Sequence, residues 1–254
     1  MTGRATGRTI VITGGTRGIG DSLTRAFCEQ GDFVLIGART DTGLARRLGS
    51  RVRFRKTDVR KESDHRMLAK AARVWTGRLD VYINCAGFSG WRPVGEVTEK
   101  FWNEMLDTNL KGTFWGCKAA SEHLRDGGCI LNISSLAGKR GSARNSVYCA
   151  SKFGVTGLTQ SLAKELGPRG IRVNAVCPVY VETEGLEEAL SDRRSPARGK
   201  PVREYLKKFA LENAALERLP TGTEVSRVCL FLVSAAASAV TGQSVNVDCG
   251  VLPQ

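Results

Sequence analysis

Tyr148 and Lys152 are the two residues whose types and spacing most clearly suit proton transfer. Side chains four positions apart on a helix share one face. A tyrosine hydroxyl ordinarily has a pKa of about 10, and an ammonium group beside it stabilises the phenolate and lowers that pKa. A general acid or base works best when its pKa is near the operating pH. The pair is therefore a candidate acid–base centre, although the same spacing is also common in surface pairs on helices.

A hydroxyl group precedes this pair at the predicted end of a strand. The segment Asn132-Ile133-Ser134-Ser135 closes a buried apolar run, and Ser135 stands thirteen residues before Tyr148. Ligands of parallel sheets bind beyond the carboxyl ends of the strands, so Ser135 is expected to meet Tyr148 there. Its hydroxyl can hold a substrate oxygen on which negative charge develops.

A glycine-rich loop follows the first predicted strand and suits an anionic cofactor. It reads Thr13-Gly14-Gly15-Thr16-Arg17-Gly18-Ile19-Gly20. The glycines allow a tight turn and a close approach of backbone to a pyrophosphate, and the next helix directs its N–H groups at the anion. The spacing is G-x-x-x-G-x-G rather than G-x-G-x-x-G. The loop alone is therefore a weak indicator, and its position between a strand and a helix is what favours dinucleotide binding.

The end of the second predicted strand indicates which dinucleotide is bound. A site for the 2′-hydroxyl of NAD(H) carries an acidic residue there, whereas this chain has Arg39, with Arg17 inside the glycine loop. Guanidinium groups suit a phosphate. The pattern predicts that NADP(H) is preferred over NAD(H). Asp41 is the one acidic residue near enough to argue otherwise.

Apolar runs of strand length alternate with helical periods, which is typical of βαβ units. The predicted fold is α/β: a Rossmann-type doubly wound parallel sheet of about seven strands with helices on both faces. Strands are expected at Thr9–Thr13, Phe33–Gly37, Val52–Thr57, Leu79–Asn84, Cys129–Ile133, Arg172–Val176 and Ser244–Val247. Helices are expected at Gly20–Gln30, 62–76, 99–123, 147–166 and 224–237.

Residues 1–254 are predicted to form a single dinucleotide-binding and catalytic domain. Residues 184–216 form an insertion between two core strands; it is charged, carries Pro196, Gly199 and Pro201, and turns helical at about Val202–Leu216. Insertions of this length are often lids or binding loops, and we expect a substrate loop or lid here.

Taken in order, these motifs resemble the short-chain dehydrogenase/reductase family, of the single-domain type similar to 3-oxoacyl reductases, over nearly the whole chain. The resemblance implies the catalytic residues Asn109, Ser135, Tyr148 and Lys152. It also implies cofactor contacts at Gly14, Thr16, Arg17, Gly18, Ile19, Gly20, Arg39, Asp58, Val59, Asn84, Ala86, Gly87, Tyr148, Lys152, Pro178, Val181 and Thr183.

The resemblance also implies a role for each catalytic residue. Tyr148 exchanges a proton with the carbonyl or alcohol oxygen, Lys152 lowers the Tyr148 pKa and binds the nicotinamide ribose, and Ser135 positions the carbonyl. Asn109 supports a water that links Lys152 to solvent. Three residues depart from the family pattern, namely Val179 and Cys249 in place of glycine and Cys85 in place of asparagine.

The implied function is an NADP(H)-dependent oxidoreductase that interconverts a ketone and a secondary alcohol, with a polar or anionic carbonyl metabolite as substrate. The alternatives are a 3-oxoacyl thioester reductase, for which Arg169 is a candidate carrier-docking residue, an NAD-linked polyol or cyclitol dehydrogenase, and a non-catalytic dinucleotide sensor. Candidate substrate contacts are Ser89, Trp91, Arg92, Asn145 and Tyr180, with Phe88, Lys139, Arg140 and Arg144 nearby. Trp91 and Tyr180 are equally suited to core packing.

Composition narrows the classes of partner. The net charge is +13, but the arginines are spread along the chain, so nucleic-acid binding is not expected. No apolar run approaches the roughly 20 residues of a membrane span, and the polar N-terminus lacks a signal-peptide pattern, so a cytoplasmic protein is expected. The eight cysteines and two histidines lack metal-ligand spacing. Family members commonly assemble, and a homotetramer or homodimer through helices 99–123 and 147–166 is expected.

Overall fold

The computed structural model describes residues 7–253 and contains one seven-stranded parallel sheet with the strand order β3-β2-β1-β4-β5-β6-β7. The strands pair in parallel throughout, so their carboxyl ends share one edge. They are β1 Thr9–Thr13, β2 Phe33–Ala38, β3 Val52–Lys56, β4 Val81–Asn84, β5 Cys129–Ile133, β6 Arg172–Pro178 and β7 Ser244–Val247.

Nine α-helices connect these strands within residues 7–253. They are α1 Gly18–Glu29, α2 Leu44–Leu48, α3 Glu62–Thr76, α4 Glu99–Leu106, α5 Gly112–His123, α6 Ser146–Leu166, α7 Glu184–Ser191, α8 Val202–Asn213 and α9 Gly222–Leu232. Two apolar cores cover the two faces of the sheet. One packs α1 and α9 through Leu23 and Val225, and the other packs α3 and α5 through Leu68 and Ala120. The predicted doubly wound fold is therefore confirmed.

The topology creates a crevice where the winding direction changes. Strand β1 pairs with β2 on one side and with β4 on the other, so the loops after β1 and β4 diverge to opposite faces. Such a switch point is the usual ligand site of open α/β sheets. Every residue of β1, β4 and β5 is buried, which explains their nearly continuous apolar sequences.

The helix predicted over 99–123 is interrupted by one π-helical turn at Asp107–Lys111, between α4 and α5. Residues 99–123 are helical throughout, so the prediction is wrong only in treating the helix as regular. A π turn accommodates an extra residue and is common near functional sites. Here it turns the Asn109 side chain fully into the interior.

Other boundaries also differ from the sequence prediction. The helix predicted over 224–237 begins at Gly222, because Thr221 and Glu224 form a capping box, and it ends at Leu232. The lid helix ends at Asn213 rather than Leu216. Helices α2 and α7 were not predicted, since each is short and highly charged. Residues 1–6 and 254 of the predicted domain, with most of its polar N-terminus, lie outside the described residues.

Candidate active site

A cleft of about 1760 Å³ opens at the carboxyl edge of the sheet, over the switch point between β1 and β4. The glycine loop and the end of β2 form one half of its wall. The segments that follow β4, β5 and β6 form the other half, which α8 closes through Tyr205 and Phe209. A dinucleotide half and a substrate half can thus be distinguished within one cavity.

The glycine loop is shaped to let a ligand approach its backbone. Gly14 and Gly18 have positive φ angles of 70° and 55°, which favour glycine. A Cβ on Gly14 would stand 2.8 Å from the Cα of Ala86, and a Cβ on Gly20 would overlap the carbonyl oxygen of Gly14. The turn leads directly into α1, and the first turn of this helix, residues 18–22, lines the cleft. This arrangement fits a dinucleotide pyrophosphate.

The charged groups in this half fit a 2′-phosphate. Arg17 and Arg39 are exposed and both line the cleft. Asp41 does not line it, and its Oδ1 instead accepts a hydrogen bond from the backbone N–H of Gly43 at 2.8 Å. Asp58 does line the cleft, with a pKa lowered to about 2 by its hydrogen bonds from Arg60. The end of β2 therefore presents a cation rather than a carboxylate.

Ser135, Tyr148 and Lys152 come together on the wall of the same cleft. The Lys152 Nζ donates to the carbonyl oxygen of Ile133 at 2.9 Å and lies 5.8 Å from the centroid of the Tyr148 ring. Helix α6 presents both side chains on one face, and the end of β5 supplies Ser135. The three groups that sequence spacing linked are thus neighbours in space.

Burial, and not the neighbouring Lys152, dominates the pKa of Tyr148 in this structure. Burial raises the pKa of Tyr148 to about 12, and a hydrogen bond with Ser135 offsets only part of that rise. Burial also lowers the pKa of Lys152 to about 8. Tyr148 is therefore protonated at neutral pH, which is the state that a proton donor to a carbonyl oxygen needs.

Asn109 lies behind this wall and holds the loop after β4. Its Oδ1 accepts from the backbone N–H of Phe88 at 3.0 Å, and its Nδ2 donates to the Phe88 carbonyl at 2.8 Å. A Cβ on Gly87 would lie 3.1 Å from Asn109 Oδ1 and 3.6 Å from Lys152 Nζ. Asn109 and Lys152 therefore flank the same glycine, but Asn109 does not itself line the cleft.

Two of the predicted cofactor residues do not reach the cleft, whereas the other fifteen line it. Pro178 ends β6 behind the wall. Asn84 is buried, and its Nδ2 donates to Asn132 Oδ1 at 2.9 Å, while Asn132 donates to Thr159 Oγ1 at 3.0 Å. This network joins β4 and β5 to α6. The Asn84 side chain therefore supports the sheet beneath the cleft instead of contacting a cofactor.

Some of the predicted substrate contacts line the cleft and others do not. Phe88, Ser89, Asn145 and Tyr180 line the cleft, as does Arg140. Arg92, Lys139 and Arg144 do not line it. Trp91 lines the cleft but is only 4% exposed, because its ring packs against Leu190 and Leu206.

Arg92 is taken up by structural contacts. Its guanidinium donates to Asp192 Oδ2 at 2.8 Å and lies 5.0 Å from the centroid of the Phe101 ring. Its backbone N–H donates to the carbonyl of Arg144 at 2.7 Å. Arg169 is similarly engaged, donating to Asp126 at 2.9 Å and to the carbonyl of Leu124 at 3.0 Å. Both arginines stabilise loops, so neither is positioned as an unengaged anion-binding group.

The sequence predicted a substrate loop or lid over residues 184–216 but did not single out the two residues of α8 that line the substrate half. Tyr205 and Phe209 line the cleft, and their rings contact Tyr180 with centroids 6.1 and 4.9 Å apart. The signal was available as an aromatic pair four residues apart on the predicted lid helix. It could not be assigned to the cleft without knowing how the lid folds back.

Comparison with known proteins extends over nearly the whole chain. Residues 14–252 match the family model described as enoyl-(acyl carrier protein) reductase. A Streptomyces virginiae protein described as a ketoacyl reductase of monensin polyketide synthase is 36% identical over 259 residues, covering 98% of each chain.

Two solved structures share the fold. An actinorhodin polyketide ketoreductase variant with NADPH has a TM-score of 0.87 and 32% identity, covering 96% of this chain and 97% of the other. A short-chain dehydrogenase/reductase of Brucella melitensis, of the glucose/ribitol dehydrogenase type, has a TM-score of 0.87 and 30% identity, covering 97% of both chains.

Proposed function

The chain belongs to the short-chain dehydrogenase/reductase family, and on this premise we propose that it is an NADP(H)-dependent ketoreductase acting through Ser135, Tyr148 and Lys152. The observation that carries the proposal is the meeting of these three side chains with the glycine loop in one cleft. Relatives described as ketoacyl and polyketide ketoreductases support the same reaction class, interconversion of a ketone and a secondary alcohol.

The cofactor would lie along the glycine loop, with its 2′-phosphate near Arg17 and Arg39 and its nicotinamide end toward Tyr148. Bound there, it supplies the hydride for reduction. The protein supplies the remainder of the chemistry. Ser135 holds the substrate oxygen, and Tyr148 donates the proton to it as negative charge develops. Lys152, held by the Ile133 carbonyl, is positioned to bind the nicotinamide ribose, while Asn109 maintains the backbone beside it.

The high pKa of Tyr148 predicts which direction of the reaction depends on pH. Ketone reduction consumes a proton, so the ratio of the oxidation rate to the reduction rate must rise tenfold per pH unit. The protonation state of the proton donor determines which of the two rates changes. With a Tyr148 pKa of about 12 and a Lys152 pKa of about 8, kcat/KM for ketone reduction should be constant from about pH 5.5 to about pH 7, where both groups are protonated. Alcohol oxidation, which needs deprotonated Tyr148, should rise about tenfold per unit. Steady-state rates in both directions test this, and a reduction rate that falls while oxidation stays constant would contradict it.

The substrate half favours a ketone flanked by apolar or unsaturated groups over a strongly anionic sugar-like ketone. Its walls carry Phe88, Tyr180, Tyr205 and Phe209, and of the four basic candidates only Arg140 lines it, since Arg92, Lys139 and Arg144 do not. This supports the 3-oxoacyl thioester or polyketide type within the ketoreductase class. A panel of 3-oxoacyl thioesters, cyclic ketones, sugars and polyols, read at the nicotinamide absorbance band, tests the proposal. Turnover of the polyols alone, with NAD⁺, would overturn it.

Residues 184–216 are proposed to act as a lid on this single domain, fastened to the loop after β4. The Arg92–Asp192 pair, with side chains 26% and 29% exposed, joins the two segments beside the packed Trp91 ring. Arg92→Met or Asp192→Asn should each raise the KM for the ketone about threefold to fivefold, with kcat little changed. The double variant should raise KM by less than the product of the two single effects, since both substitutions remove the Arg92–Asp192 pair.

A matched control for the lid is Lys208→Met, which breaks an exposed pair with Glu212 within α8 and should leave KM unchanged. KM values that rise additively in the double variant would show that the two residues act independently, contrary to the proposed fastening.

We propose that the enzyme assembles as a homotetramer or homodimer through α4, α5 and α6. These helices form an apolar groove of about 590 Å³ lined by Leu106, Leu110, Phe114, Gly154, Gly157 and Leu158. Beside it, Phe153 and Trp102 are 46% and 43% exposed. An exposed apolar patch of this kind commonly marks an interface.

Gly157→Glu tests the assembly because a Cβ at Gly157 meets no atom within 4 Å. The substitution also improves helix propensity, so the fold should be retained. Light scattering after sizing chromatography should show a smaller particle than the wild type. Gly95→Glu, at an equally open position outside the groove, should keep the wild-type mass. A wild type that is already monomeric would refute the assembly.

A cytoplasmic location is proposed from the thiols. All eight cysteines are free, as expected in a reducing compartment. Within residues 7–253, no helix has the length and apolar character needed to cross a membrane. Labelling of the protein in fractionated cells would test the location.

A further inference from the structure

His65 on α3 is fully buried and has no part in the proposed proton transfer, yet both of its ring nitrogens are hydrogen-bonded. Nδ1 lies 2.8 Å from the hydroxyl oxygen of Tyr82 on β4. Nε2 lies 3.0 Å from the carbonyl oxygen of Val59, in the loop after β3. One side chain thus bridges a central strand and a loop that reaches the cleft.

The chemistry of the two partners fixes the protonation of the ring. A carbonyl oxygen only accepts, so Nε2 must carry the hydrogen and donate it to Val59. In a neutral imidazole, Nδ1 then accepts from the Tyr82 hydroxyl. Burial lowers the pKa of His65, which keeps the ring neutral and this arrangement in place.

The loop held in this way presents Asp58 and Val59 to the cleft. Asp64, the neighbour of His65, accepts a hydrogen bond from the backbone N–H of Asp58 at 2.8 Å. On the other side, a Cβ on Gly112 would stand 3.0 Å from the Val59 carbonyl oxygen, so α5 packs closely against the same peptide. Two consecutive residues of α3, Asp64 and His65, therefore hold two consecutive residues of the loop, Asp58 and Val59.

We propose that His65 is a positioning residue for the adenosine half of the cofactor, acting through the Val59 carbonyl. The inference rests on the proposed function, because the 2′-phosphate proposed near Arg39 puts the adenosine half beside Asp58 and Val59, which line the cleft next to that arginine. An apolar side chain at position 65 would leave two buried polar groups, the Tyr82 hydroxyl and the Val59 carbonyl, without this partner. Histidine forms hydrogen bonds with both groups, and these bonds fix the position of the loop at the wall of the cleft.

Two substitutions separate the two bonds of His65. Glutamine places its amide nitrogen near the position of Nε2, so His65→Gln retains a donor to Val59. Asparagine places its amide nitrogen near Nδ1, so His65→Asn retains only a partner for Tyr82. Both variants are polar and smaller or more flexible than histidine, and they should disturb the core to a similar degree.

The measurement is calorimetric binding of two cofactor fragments to the apoprotein. Adenosine 2′,5′-bisphosphate probes the adenosine half, and reduced nicotinamide mononucleotide probes the other half. His65→Asn should weaken the adenosine fragment about tenfold, and His65→Gln by less than about threefold, since only the former loses the Val59 donor. The nicotinamide fragment should bind both variants like the wild type.

Equal binding of the adenosine fragment by both variants would overturn the inference, and so would a parallel loss of both fragments in His65→Asn. If neither position-65 variant folds, Tyr82→Phe carries the test: it removes the far partner only and should weaken the adenosine fragment alone, by about twofold to threefold. No effect there would also overturn the inference. A wild type that binds no adenosine fragment would instead refute the proposed cofactor.

Discussion

Replacing Tyr148 with phenylalanine is expected to lower kcat for ketone reduction by about 10²- to 10⁴-fold. The substitution removes only the hydroxyl that we propose as the proton donor and leaves the aromatic ring of α6 at the wall of the cleft. Affinity for NADPH should stay within about threefold of the wild type, because the glycine loop and the two arginines are unchanged. Steady-state kinetics, together with a fluorescence titration of the cofactor, measure the two effects separately.

Tyr180→Phe is the matched control for this variant. It removes a hydroxyl from the same cleft, one that lies 3.5 Å from the Tyr205 hydroxyl instead of near Lys152. Its kcat should remain within about threefold of the wild type. A Tyr148→Phe enzyme that still turned over any substrate at the wild-type rate would refute the catalytic assignment.

Substitution of the two cleft arginines should reverse the cofactor preference. Arg17 and Arg39 are exposed, so we assign each of their hydrogen bonds to a 2′-phosphate a free energy at the lower end of the range for charged groups. This corresponds to about tenfold in affinity for each arginine. Arg17→Ala should lower kcat/KM for NADPH by about that factor. Arg39→Asp should lower it by about 100-fold, because a carboxylate there repels the phosphate and accepts the ribose hydroxyl of NADH.

The readout is the ratio of kcat/KM for NADPH to that for NADH, measured with one ketone. Arg66→Ala is a suitable control, since Arg66 pairs with Glu62 on α3 and neither residue lines the cleft. It should leave the ratio unchanged. Equal losses with both cofactors in Arg39→Asp would mean that the arginine does not read the 2′ position.

The parts of this site that were predictable are those encoded by local pattern. The glycine loop, Arg39 and the pair on α6 each follow from short spacings within one element. The apolar runs predict the strands, and the strands in turn determine at which end of the sheet these motifs lie. Ser135 and Tyr148 lie together as expected. Ser135 follows β5 and Tyr148 stands at the start of α6, and the order of these elements along the chain brings both residues to the same edge of the sheet.

The parts that failed depend on which group a side chain meets across the fold. Asn84 and Arg92 have side chains that could bind a ligand. In the fold they instead form hydrogen bonds with Asn132 and Asp192. The pKa of Tyr148 is raised mainly by burial, which the spacing of residues in the sequence does not reveal. The packing of α8 on Tyr180 is likewise a long-range contact.

The π turn at Asp107–Lys111 contains one extra residue and contributes side chains to three different surfaces. Within it Thr108 faces the cleft, Asn109 faces the loop after β4, and Leu110 faces the apolar groove. Deleting one residue would restore a regular helix with α4 and α5 still in phase, but it would remove the widened turn that directs these three side chains to three surfaces. The wall of the cleft and the proposed assembly face therefore depend on the length of the same turn. A change of one side chain in this turn alters one surface, whereas a change in its length alters all of them together.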